Sequence, residues 1–204
     1  YSDRVHGNVS IELMEKQLKE LIEHCEAEDV ILYGVSFGAA VAAKYAANNP
    51  ENISFIGYQV PVINSANIPL LSAVKIPLYG DLLTRGFLVP GVLKRMEEYE
   101  DLMSKKLIEH YVGQFNVKGT ESFFKKFFQG NAMGNRLKDH IIIGNNFVPS
   151  YFAYAVDDTE IDSQLVEEAI KKYHNPTVKK YFGGHFFSSG IEREVAQEFV
   201  DNIK

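Results

Sequence analysis

The sequence is nearly free of cysteine. Cys25 is the one thiol in 204 residues, so no internal disulfide can form. A reducing, cytoplasmic compartment is the expectation. Leu18, Leu21 and Ile22 precede Cys25 at helical spacing, which predicts a core thiol rather than a nucleophile. Basic runs, zinc-type Cys/His spacings and a Walker-type glycine loop are all missing. With a formal net charge of −6, this disfavours nucleic acid as a general partner. No metal and no cofactor is expected. There is no signal-peptide pattern and no apolar stretch long enough to span a membrane. Internal repeats and low-complexity segments are absent too.

What the chain has is apolar content. Hydrophobic residues make up 46% and aromatics 12%. That can bury a core, and it excludes a disordered composition. The length suits one domain, or one domain with an insert.

The most informative segment is Gly34-Val35-Ser36-Phe37-Gly38. It follows the apolar run Val30-Ile31-Leu32-Tyr33 and precedes a run of strong helix formers, Ala39 to Ala47. Strand, Gly-x-Ser-x-Gly and helix together form the context of a nucleophile elbow. Gly34 and Gly38 are expected to keep Cβ atoms out of a crowded turn. The turn lifts the Ser36 hydroxyl off the sheet edge. It also puts the Phe37 N–H at a helix N-terminus, where developing negative charge is stabilised. A bland alternative is a tight turn with a capping serine.

An acid and a histidine follow in the order such chemistry needs. Ser150 to Val156 is apolar and aromatic, as in a buried strand, and ends in Asp157-Asp158. Thr177 to Phe182 reads as another strand, running into Gly183-Gly184-His185-Phe186. A serine hydroxyl is a poor nucleophile at neutral pH, and a neutral imidazole can take its proton. A carboxylate fixes the imidazole tautomer and stabilises the cation that forms. His185 is the expected base. Asp158 is the expected acid, with Asp157 as the alternative; as a structural residue Asp157 would cap a helix or a turn. Asp162 reads as the cap of a helix from Ser163 to Tyr173. His6, His24, His110, His140 and His174 lie in loops, amphipathic helices or connections, and read as structural or surface residues.

The rest of the chain alternates. Ser10 to Glu26 is an amphipathic helix with Ile11, Met14, Leu18, Leu21, Ile22 and Cys25 in its stripe. Ile53 to Val60 is a strand after Asn48-Asn49-Pro50, and Glu192 to Ile203 is a closing helix. Short strand–helix connections predict a parallel sheet. From Pro61 to about Phe147 the pattern changes: prolines at 61, 69, 77 and 90, then helical stretches at Lys94–Met103 and Ser104–Tyr111. Glu121 to Phe128 carries four phenylalanines in pairs. This segment reads as a helical cap whose phenylalanines, like Leu70 to Leu78, either line an acyl pocket or pack the cap.

Four stretches resemble the α/β-hydrolase superfamily across nearly the whole chain. Tyr1-Ser2-Asp3-Arg4 looks like the end of a loop after an early strand. Gly34 to Gly38 looks like the elbow, Ala155-Val156-Asp157-Asp158 like the acid turn with Ala155 replacing a glycine, and Gly183 to Phe186 like the histidine loop. The resemblance puts Asp158 at the acid position. It implies an α/β-hydrolase fold, a mostly parallel sheet with an inserted helical cap: core at 1–60 and 148–204, cap at 61–147. Members begin with strands and an oxyanion loop upstream of Tyr1, and His6-Gly7 comes too late to be that loop. The resemblance therefore implies an N-terminally truncated chain, weak or inactive alone, with an uncovered sheet edge. It implies a serine hydrolase of the carboxylesterase or lipase kind. Ser36, Asp158 and His185 would be catalytic, and Phe37 N–H would serve the oxyanion. The substrate would be a small hydrophobic ester or related acyl compound. The alternative is a non-catalytic binding member of the fold. The partners expected are that small molecule and either a second copy or the missing N-terminal segment.

Overall fold

The computed structural model describes residues 9–64, 119–129 and 134–203, with scattered positions between 82 and 117. The Tyr1–Arg4 and His6-Gly7 stretches and Leu70 to Leu78 lie outside the described residues, as do most of Lys94–Met103 and Ser104–Tyr111.

Among the described residues four parallel strands form one sheet in the order β1-β2-β3-β4: β1 Val30–Val35, β2 Ile53–Gln59, β3 Ser150–Ala155 and β4 Thr177–Tyr181. The helices among the described residues are α1 Ile11–His24, α2 Phe37–Asn48, α3 Thr120–Gln129, α4 Leu137–Asn145, α5 Ser163–Ile170 and α6 Ser189–Asn202. A single 3₁₀ turn, Pro50–Asn52, follows α2, because Pro50 cannot continue the helix. Strand registers are continuous at the C-terminal ends, where Val35 pairs with Gln59 and Gln59 with Ala153.

The sheet is covered on both faces, so its central strands read as unbroken apolar runs rather than alternating ones. On one face Val30, Leu32, Ile56 and Phe152 pack on the alanines of α2 and on Ile143 of α4, with Leu18 and Ile22 of α1 alongside. Tyr154 extends this face onto Val166 and Ala169 of α5. On the other face Phe55, Tyr151 and Ala153 pack against Val195 and Phe199 of α6. Gly57 makes that possible, since a Cβ there would overlap the Phe199 ring. Each large side chain buried this way contributes about 1.5–3 kcal/mol before entropy is subtracted. Among the described residues β1 and β4 are the sheet edges, and the outward residues Ile31 and Val35 of β1 are exposed.

The chain clusters into two compact units: Tyr1–Ser10 with Asn67–Ala132, and Ile11–Ala66 with Met133–Lys204. Residues 61–66 and 133–147, read from sequence as cap, group with the sheet. The reason is α4, whose Ile143 and Gly144 are buried against the α2 side of the sheet. In the first unit, α3 stacks Phe123 on Phe127 at 6.4 Å between ring centroids. The Thr120 hydroxyl donates to the Gln114 carbonyl at its start.

Two expectations need correcting here. Cys25 is exposed, not core. Helix α1 ends at His24, and Glu26 takes a positive φ of 52°, so the chain leaves the apolar stripe at Cys25; Leu21 is exposed as well. His140 does not border a connection. It lies inside α4 and is buried, a placement hidden by its polar neighbours Lys138 and Asp139.

Candidate active site

Ser36 sits between β1 and α2 with φ 51° and ψ −116°. A non-glycine residue in that region is strained by on the order of 1–3 kcal/mol and persists where its surroundings hold it. They do so here through the backbone. The Ser36 N–H donates to the Gln59 carbonyl at 2.9 Å, and the Ser36 carbonyl accepts from Ala39 at 3.1 Å and Val62 at 3.3 Å. The two glycines of the motif are unequal. A Cβ on Gly34 would sit 2.5 Å from the Ala39 Cα and 2.7 Å from the Gly38 carbonyl oxygen. A Cβ on Gly38 would meet nothing within 4 Å among the described residues. The expectation that both glycines relieve crowding therefore holds for Gly34 alone. Phe37 is the first residue of α2, so its N–H belongs to the helix N-terminus.

The structure brings Ser36, His185 and Asp158 together across 149 residues of chain. His185 Nε2 lies 2.9 Å from Ser36 Oγ, and His185 Nδ1 lies 2.9 Å from Asp158 Oδ2. Asp158 Oδ1 accepts the N–H groups of Glu160 at 2.7 Å and Ile161 at 3.1 Å. Its side chain is 2% exposed and that of His185 is 9% exposed. In the tautomer that donates from Nδ1 to Asp158, Nε2 is left to accept from Ser36.

Asp157, the other acid candidate, does not touch the ring. Its carboxylate accepts from the N–H groups of Gly183 and Gly184 at 3.1–3.2 Å. The Gly184 amide, with that of Gly183, holds the carboxyl below the usual carboxylate range. Asp162 caps α5 as expected, accepting the Gln164 N–H at 2.9 Å.

The remaining described histidines are elsewhere. His24 ends α1. His110 falls on a helical position, and His174 packs its ring edge-on to Phe147. His140 Nδ1 lies 2.6 Å from the Tyr173 hydroxyl, which lies 2.9 Å from that of Tyr58. Burial, reinforced by the Arg136 cation, pushes the His140 pKa down to about 3. Among the described residues no group of three or more His, Cys, Asp or Glu could hold a metal, and no helix is long and apolar enough to cross a membrane. Sequence reasoning missed the backbone clamps on Ser36 and that the turn Asp157 caps is the one before His185, although the adjacent Asp pair and Gly pair were visible.

No protein-family model and no curated protein matches the sequence. Solved structures do match. The chain is similar to MGS-M2, an α/β-hydrolase enzyme from a Medee basin deep-sea metagenome library, at 15% identity and a TM-score of 0.76, over 97% of this chain and 73% of that one. It is similar to a bromoperoxidase from Bacillus anthracis at 13% identity and a TM-score of 0.74, over 99% and 77%. A meta-cleavage product hydrolase from Pseudomonas fluorescens IP01 matches at 15% and 0.72, over 100% and 76%. At such identities the likeness shows the fold, and the chain has the α/β-hydrolase fold.

Proposed function

We propose that this chain is a serine hydrolase that cleaves a carboxylic ester, or a related acyl bond, of a small hydrophobic substrate through an acyl-serine. The observation that carries the reading is the His185 ring held 2.9 Å from a serine hydroxyl on one side and 2.9 Å from a buried carboxylate on the other. In this mechanism Ser36 Oγ attacks the carbonyl carbon as His185 Nε2 takes its proton. Asp158 accepts from Nδ1 and stabilises the imidazolium. The Phe37 N–H, at the α2 terminus, faces the charge that develops on the carbonyl oxygen. The C–O bond breaks and the alcohol leaves with the proton from His185. A water then gives a proton to the same nitrogen, attacks the acyl carbon and releases the acid. Ser36 regains its proton, and no oxidant, reductant or cofactor is consumed. The hydrolases among the structural neighbours support a hydrolytic use of the fold.

A fluorophosphonate tests this. The folded protein is expected to gain one label at Ser36, located by peptide mass, and Ser36→Ala is expected to gain none. A folded protein that takes no label, or takes it equally after Ser36→Ala, overturns the reading.

A further inference from the structure

We infer that Asp157 is a positioning residue for His185, acting through the backbone of the Gly183-Gly184 loop; this rests on the roles proposed above for Ser36, His185 and Asp158. The two adjacent aspartates leave β3 in different directions and grip the same loop twice. Asp158 holds the ring at Nδ1. Asp157 holds the two peptide units just before it, accepting from Gly183 at 3.1 and 3.2 Å and from Gly184 at 3.1 Å.

The loop is shaped for this anion. Gly183 has φ 129° and Gly184 φ 76°. Consecutive amides in such a turn point into one concavity and bind an anion there. A Cβ at either glycine would meet nothing within 4 Å among the described residues. Backbone conformation, not crowding, is therefore what asks for glycine. Bonds from amides to an ionised carboxylate are the stronger, charge-assisted kind.

The loop also needs a support at its middle. Its start is fixed by β4, where the Val156 N–H donates to the Tyr181 carbonyl. Its end is fixed by buried Phe187, whose ring packs on Tyr181 at 5.3 Å, and by Ser188, which caps α6. Between these, the 76% exposure of Phe182 leaves anchorage to other groups. Asp157 supplies it one and two residues before the histidine. Reaction rates fall by as much as about 10²-fold when a reacting group moves by 1 Å, so loosening this backbone is felt at Nε2.

The test measures fluorophosphonate labelling of Asp157→Ala, Asp157→Asn and Asp158→Asn, separating the first-order step from probe affinity. Proton NMR follows the downfield resonance of the His185–Asp158 hydrogen bond. Asp157→Ala is expected to slow the first-order step roughly 10- to 100-fold, leave affinity unchanged and weaken the resonance. Asp157→Asn keeps an acceptor oxygen and is expected to recover most of both. Asp158→Asn abolishes both. An unchanged first-order step in Asp157→Ala would overturn the inference. So would an unchanged resonance in Asp157→Ala. Should the unmutated protein take no label, the reading of Ser36 fails, and the resonance still decides the role of Asp157.

Discussion

His185 and His140 are each within 3 Å of a hydroxyl oxygen, yet they occupy opposite environments. His140 is buried in α4 with Tyr173 on one nitrogen and Tyr58 beyond it. Its surroundings keep it neutral, and the nearest carboxylate in sequence, Asp139, faces Arg136 at 3.3 Å instead. His185 stands on a loop at the C-terminal end of the sheet, with a carboxylate on Nδ1 and a strained serine on Nε2. The same side chain becomes a core polar tether in one place and a candidate base in the other. The difference is not hydrogen bonding as such. It is the presence of a carboxylate on one ring nitrogen and of a serine hydroxyl on the other.

The sharpest way to break this contrast is to exchange the losses. His185→Gln is expected to cut the fluorophosphonate labelling rate by about 10³-fold or more, whereas His140→Gln leaves it within a few-fold in the folded fraction. Similar rates in both variants would erase the distinction.

Acid sensitivity sharpens it further. Because the folded pKa of His140 is lowered to about 3 from 6.5, the unfolded chain binds a proton that the folded chain refuses. This contribution is fully present above the unfolded value and is lost as pH falls from 6.5 towards 3. Linkage gives up to about 1.4 kcal/mol per pH unit, or roughly 2 kcal/mol between pH 6.5 and 5. Urea unfolding at those two pH values is expected to show that loss, and His140→Phe is expected to flatten it. An equal slope in the variant would remove His140 as the cause.

The smallest effect is expected at Tyr58→Phe, which deletes the outer hydroxyl of the tether. It should cost about 1 kcal/mol in urea unfolding and leave the labelling rate untouched. A change in labelling would mean that the buried tether and the Ser36 site are coupled.

Much of this arrangement was legible in the residues. The alternation of apolar runs with helix formers gave the parallel sheet, since short connections between strand and helix leave little other choice. Ser36, His185 and the aspartate pair stood out because residue type and order carry the chemistry. The hidden parts depend on where the chain turns. Cys25 sits at the end of a stripe that reads as core, but the helix stops one residue earlier. The α4 segment reads as cap, yet Gly144 lets it lie so close to the main chain at Lys172 that a Cβ there would overlap the carbonyl.

By itself the sequence determined the parallel strand–helix alternation, the Gly-x-Ser-x-Gly turn and the candidate serine and histidine, because these follow from periodicity and from residue type. Which of two neighbouring aspartates meets the histidine ring was decided by tertiary structure. Adjacent residues at a strand end point apart, and the return of the Gly183-Gly184 loop from β4 presents amides to one carboxylate and an imidazole to the other. The same holds for the glycines of the elbow. Both belong to the motif, and the packing of Ala39 against the turn makes Gly34 the one for which a side chain has no room.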